Sequence, residues 1–250
     1  MTAIAAAVLW EGGATDRLKL RTWIDISGTV RTTRAQEYLY LALYAFALLG
    51  LELVLAAFES LIGLPAGGSL GSIVHWGVTI FLWVGGGVGL VAWARRRTDF
   101  ALCGEADVRL GVMRWLAVAA LIVLTLLGQW MVRGGVLPPV AEHDAFLELY
   151  GDEGTIVWLV QVLYYFSEAI IIALIIGFGQ AAGERWFVAR WMPWGGIMLA
   201  LTWGLVHFLT QDISTGIYGI ALSLVMGTAH VLIGKNLLLT YPILLVLFIV

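Results

Sequence analysis

The chain has 250 residues, of which 61% are hydrophobic and only 12% charged, and its mean hydropathy is +0.93. A soluble domain carries about 25% charged residues, so this composition excludes a fully water-exposed surface and places the chain in a lipid bilayer. The net charge of −3, with no basic tract beyond Arg95-Arg96-Arg97, excludes nucleic acid as a partner, and a lone Cys103 excludes an internal disulfide or a thiolate metal cluster.

In chain order, Glu11, Asp16, Arg17, Lys19 and Arg21 are scattered through an N-terminus that lacks the apolar core and cleavage site of a signal peptide. Residues 1–36 are read as a retained cytoplasmic segment and 37–250 as one transmembrane helical domain. A spanning helix needs about 20 apolar residues. Seven stretches qualify or nearly qualify: 38–63, 69–94, 109–132, 154–179, 192–210, 214–233 and 236–250, the last being short.

Basic residues test the topology. Arg31 and Arg34 precede the first span, and Arg95 to Arg97, Arg109 and Arg114 flank the second connection. Arg185 and Arg190 follow the fourth span, and Lys235 follows the sixth. All fall on one side if the N-terminus is cytoplasmic. The opposite side receives Arg133 and an acidic loop with Glu142, Asp144, Glu148, Asp152 and Glu153 after Pro138-Pro139. Tyr38, Tyr40, Trp93, Trp130, Trp191, Trp194 and Tyr241 lie near the span ends and read either as interfacial belts or, for about half of them, as ordinary core aromatics. The expected fold is all-α: a polytopic transmembrane helical bundle of about seven spans, multi-pass in a cell membrane. Its expected surroundings are the lipid bilayer, with other membrane-protein subunits as candidate partners.

Polar groups at bilayer depth are costly and mark function or helix contacts. Glu52, Gln161, Glu168 and His207 lie deep, with Glu59, His75 and His230 nearer the span ends. Glu168 and His207 each lie about 20 Å from the connection at 183–193, so antiparallel neighbours could bring them together. Gln161, Tyr165 and Glu168 share one helix face, as do Trp203, His207 and Thr210. Such a pair can activate water as base and acid, or it can join two helices by a hydrogen bond and do nothing more. His230 is read as structural or interfacial, and neither His75 nor His143 has a metal-ligand partner at i+3 or i+4. Gly216, Gly219, Ser223 and Gly227 form a close-packing face, and Gly85-Gly86-Gly87 serve the same end.

From Phe166 onward the order of features resembles the CPBP family of intramembrane proteases, which includes the CAAX prenyl endopeptidases and bacterial abortive-infection proteins. Ser167–Ile172 (SEAIII) stands where that family carries EExxxR, and Gly177–Gln180 (GFGQ) follows. Trp203–His207 (WGLVH) stands for FxxxH, and residues 224–246, with Pro242, resemble the closing pair of helices. The resemblance covers 166–250 and implies a glutamate base with supporting histidines. Three positions depart from it: Ser167 replaces the first Glu, Ile172 the Arg, and Val246 lies near the place of the final His.

These departures lead to the expectation of a non-catalytic relative acting as a scaffold or partner-binding subunit, with no cofactor and no metal. The alternative is an active glutamate-dependent endopeptidase acting on membrane-associated or prenylated proteins, with Glu168, His207 and Tyr165 as its catalytic residues. A retinal-type protein is disfavoured because Lys235 sits at a Gly-Lys-Asn turn rather than mid-helix.

Overall fold

In hydrocarbon no water satisfies a free backbone N–H or C=O, so an apolar chain closes these groups within helices. The computed structural model describes residues 6–10, 18–22, 34–63, 68–104, 111–132, 135–187 and 189–249. Glu11, Asp16, Arg17, Arg31, Arg109, Arg133 and Val250 lie outside them. Ahead of the bundle, β1 (Ala6–Trp10) and β2 (Leu18–Thr22) pair as a short antiparallel ladder, Val8 opposite Leu20. All other regular elements among the described residues are helical: α1 (Arg34–Leu61), α2 (Ser69–Arg97), α3 (Val112–Val132), α4 (Pro138–Tyr150), a 3₁₀ turn (Gly151–Glu153), α5 (Gly154–Phe187), α6 (Trp194–Leu199), α7 (Leu205–Thr210), α8 (Ile213–Leu232) and α9 (Leu237–Ile249).

Five stretches among these are long and apolar enough to cross a membrane: α1, α2, α3, the α4–α5 stretch and α8. Two shorter apolar helical stretches, Trp194–Thr210 and Leu237–Ile249, complete the seven expected positions. At 13 residues α9 is about 20 Å long, against about 30 Å of hydrocarbon. Pro242 inside it removes one ladder hydrogen bond.

The centre of the bundle is α5. Ile171, Ile172, Ile175, Ile176 and Phe178 are all fully buried, so this stretch of the helix meets protein on every side, while Ile156, Leu159 and Leu163 of its first half are exposed. It packs against α1, α2, α4, α6 and α9. Trp83 of α2 fills the space beside it and donates its indole N–H to Leu48 O of α1 at 2.8 Å.

One finding corrects the sequence reading. Asp152 and Glu153 stand in the 3₁₀ turn, but Glu142, Asp144 and Glu148 lie not in a loop but in α4, begun by prolines at its first positions, where a missing N–H costs nothing. It folds back along α5: Phe146 O lies so close to Gly154 that a Cβ there would come within 2.4 Å, and His143 reaches Thr155. Of the two readings of the aromatics near span ends, Tyr38 takes the core one, with 1% exposure.

Connections expected on one side do meet at one end, called here the basic end. Leu237 N–H bonds Leu102 O at 2.8 Å, and Asp99 pairs with Arg185 and Arg34. Gly104, with φ +66°, sits so near the α8–α9 turn that a Cβ would lie 2.6 Å from Gly234 O and Lys235 O. At the opposite end Asp212 caps α8. It accepts from the Ser214 hydroxyl, from Thr215 N–H at 3.0 Å and from the Thr215 hydroxyl at 2.8 Å, and these bonds pull its carboxyl down to about 2.

The small-residue face of α8 sets its approach to α6 and α7. A Cβ on Gly227 would lie 2.3 Å from Gly196 Cα, one on Gly216 would strike the Phe208 ring, and Gly219 faces Gly204. In the glycine run of α2, Gly86 lies against Leu48 and Gly87 against Ile170, while Gly85 meets nothing within 4 Å. Gly227→Ala is therefore expected to force α6 from α8 and cost about 1–3 kcal/mol, seen as a lower thermal midpoint in detergent. Gly85→Ala serves as the control and should leave that midpoint unchanged. A Gly227→Ala protein as stable as wild type would show that this backbone contact is absent.

Candidate functional site

Glu168 lies on the buried face of α5 with 9% exposure. A carboxylate so placed has lost its water and needs a donor. The donor is Trp203, whose indole Nε1 lies 3.0 Å from Glu168 Oε1. Trp203 belongs to a π-helical turn, Ala200–Gly204, between α6 and α7.

His207 follows one turn later. Its ring stands edge-on to the Trp203 ring at 4.3 Å, and its Nδ1 lies 2.7 Å from Trp203 O. A carbonyl oxygen only accepts, so Nδ1 carries the proton and donates. Among the described residues no hydrogen bond joins Glu168 to His207. The residue of the α6–α7 stretch that meets the carboxylate is Trp203, not His207. The π turn, with its wider winding, shifts the phase of α7 relative to a regular helix.

The structure sets Tyr165 against α4. Its hydroxyl accepts from Gln161 Nε2 at 2.9 Å and lies 3.3 Å from both carboxylate oxygens of Glu142 on α4. Where the resemblance would place a final histidine, Val246 is partly exposed and Phe248 turns inward instead. The Phe248 ring packs on Trp203 at 5.9 Å and on Tyr165 at 5.6 Å, closing this level with aromatic carbon. Thr210, on the expected polar stripe, is exposed and bonds only its own helix, at Val206 O.

The structure assembles a second polar group that spacing within one helix could not show. His75 of α2 lies between two carboxylates of α1, its Nδ1 2.7 Å from Glu59 and its Nε2 3.4 Å from Glu52. Tyr164 of α5 donates to Glu52 at 2.8 and 3.0 Å. Tyr164 stands one turn before Glu168, so a ladder of polar groups runs from the acidic end of the bundle to the buried carboxylate. The depth of Glu52 and the i, i+4 relation of Tyr164 to Glu168 were the available signals. Because His75 separates the two acids, they share no common centre. Among the described residues no group of three or more His, Cys, Asp or Glu could hold a metal ion.

At the basic end a cavity of about 430 Å³ lies between α1, α5, α8 and the connections after α2, α5 and α8. Asp99, Glu184, Arg185, Arg190 and Lys235 line it, with the buried His230 beneath. Lys235 sits in a turn with φ +59° and pairs with Glu184 at 2.8 Å.

No family model, curated protein or solved structure matches this chain.

Asp99 ties the basic end together through Tyr38 (2.9 Å), Arg185 (3.0 Å) and Arg34 (3.4 Å). Partial burial pushes its carboxyl up. The Tyr38 hydrogen bond, its own backbone N–H and the two guanidiniums outweigh that and hold it below its ordinary value. A depressed folded-state value means stability present above the ordinary carboxylate range and lost as pH falls through and below about 4. Thermal midpoints in detergent should therefore fall more steeply below pH 4 for wild type than for Asp99→Asn. Half-exposure limits the difference to about 1 kcal/mol or less. Parallel pH profiles would contradict the pairing.

Proposed function

We propose that the chain is a non-catalytic multi-pass membrane protein, a scaffold or partner-binding subunit on a framework resembling the CPBP intramembrane proteases. The observation that carries this reading is the Glu168–Trp203 hydrogen bond. A base must reach the proton it abstracts, and here the carboxylate is held by an indole that can donate but cannot accept. The neighbouring imidazole donates to its own helix, and Phe248 fills the level where a further polar group would complete the constellation. The acidic helix α4, with Asp144 and Glu148 exposed, offers a surface for other subunits.

One observation favours the second reading, an active glutamate-dependent endopeptidase. The π turn at Ala200–Gly204 directly precedes His207, and such turns recur at functional sites.

Reconstituted wild type and Glu168→Gln, presented with membrane-embedded and prenylated peptides, separate the two readings. The non-catalytic reading predicts no cleavage by either. It also predicts that Glu168→Gln, which keeps an oxygen acceptor, melts near wild type, whereas Trp203→Phe, which leaves the acceptor unpaired, loses about 3 kcal/mol or more. Wild-type turnover that drops a hundredfold or more in Glu168→Gln would overturn it in favour of the protease.

A further inference from the structure

At the acidic end of the bundle the second turn of α2 presents one histidine to two carboxylates of α1. His75 Nδ1 lies 2.7 Å from Glu59 Oε2, and its Nε2 lies 3.4 Å from Glu52 Oε1. The three side chains are between 16% and 26% exposed, so water reaches these contacts only from one side. A carboxylate oxygen only accepts, and a ring nitrogen without its proton also only accepts. Each contact is therefore a hydrogen bond only when a proton lies in it. A neutral imidazole carries one N–H, and two contacts need two. The Tyr164 phenol does not supply the second, because its own proton goes to Glu52, whose oxygens lie 2.8 and 3.0 Å away. The arrangement thus holds one proton more than a neutral imidazole and two carboxylates bring to it.

Among the described residues, the neighbouring elements add acids, phenols and one further imidazole around this part of α2. From α5 come Tyr164 and, one turn deeper, Glu168, which is bonded to Trp203. From α4 come Tyr150, whose hydroxyl lies 3.1 Å from Ser72, Glu142 against Tyr165, and His143 against the Trp158 ring. The 3₁₀ turn adds Glu153, bonded to Ser69. Residues 62–68, which join α1 to α2, include no ionisable side chain. The proton count concerns only the two ring nitrogens and the oxygens they face, so it holds whatever else meets the outer oxygens of the acids.

We infer that Glu59, His75 and Glu52 form a proton-binding site, and that the bound proton clamps α2 onto α1. The geometry is that of the loaded form, an imidazolium between two carboxylates. Loading moves a proton from hydronium at the acidic end onto Nε2 and leaves water, with no other bond made or broken. Unloading returns that proton to water and turns a bare lone pair toward Glu52. This longer contact then opens, while the shorter Nδ1–Glu59 bond keeps the remaining proton. Deeper in the bundle α1 and α2 stay joined by the Trp83–Leu48 hydrogen bond and by Gly86 against Leu48. Release therefore loosens the outer ends of the two helices and leaves Glu52 to Tyr164 of α5. With the basic end cytoplasmic, the proton is exchanged with the opposite side, as ionisable groups near a membrane face allow. The inference does not use Glu168 as a base and stands whether or not the chain is a protease.

Full-length protein carrying nitrogen-15 histidine is placed in nanodiscs and followed by NMR over the pH range in which it stays folded. The chain has 4 histidines, and His75→Gln assigns the signals of interest. Two protonated ring nitrogens on His75 are expected on the acid side of one transition, and Nδ1–H alone on the alkaline side. Glu52→Gln removes one carboxylate and offers an amide N–H to the bare nitrogen. Its proton affinity at His75 should fall about tenfold, which moves the transition to lower pH. Glu59→Gln should act in the same direction by removing the other acid. Asp152→Asn, exposed at the same end, is the control and should leave the transition in place. A His75 with one protonated ring nitrogen at every pH, or a transition unmoved in both Glu52→Gln and Glu59→Gln, would overturn the site.

Discussion

Glu168 rides on a stretch of helix surrounded by protein, where an unpaired carboxylate costs several kcal/mol, so a neighbouring helix has to supply a donor. The Trp203 indole supplies it, and that bond fixes how the α6–α7 stretch lies against α5. The arrangement around it follows. The Trp203 ring supports the His207 ring, Phe248 of α9 covers both Trp203 and Tyr165, and α8 closes on α6 through glycines at the same interface.

Much of the scaffold was legible because a bilayer leaves few choices. The apolar runs set α1, α2, α3 and α8 within about four residues, while α5 runs on eight residues past its expected end to Phe187, and the basic residues named which connections share an end. The small-residue face of α8 announced a close approach, and coordinates place Gly227 against Gly196. Signals for α4 were present and misassigned: Pro138-Pro139 is a helix start, but the acidic residues after it suggested a loop.

What the sequence could not display is which residue on one helix meets which on another. His75 has no partner at i+3 or i+4, yet it lies between Glu59 and Glu52 from the preceding helix. Tyr38 has the place of an interfacial aromatic, and although its ring is buried, Asp99 and Arg185 at the basic end meet its hydroxyl and ring face. Glu168 and His207 were paired by their equal spacing from one connection. Depth does not decide rotation, and a π turn that composition does not reveal put Trp203 at the carboxylate.

The chain thus carries polar groups at three levels: the Glu59–His75–Glu52–Tyr164 ladder, the Glu168–Trp203 bond and the charged cavity at the basic end. The central claim concerns the middle level, and the indole proton reports on it directly. Nitrogen-15 labelling of the 12 tryptophans gives indole N–H resonances that shift downfield on bonding to a carboxylate. One strongly downfield resonance, lost in Trp203→Phe and moved upfield in Glu168→Ala, is the predicted result. A Trp203 resonance indifferent to Glu168→Ala would contradict the account.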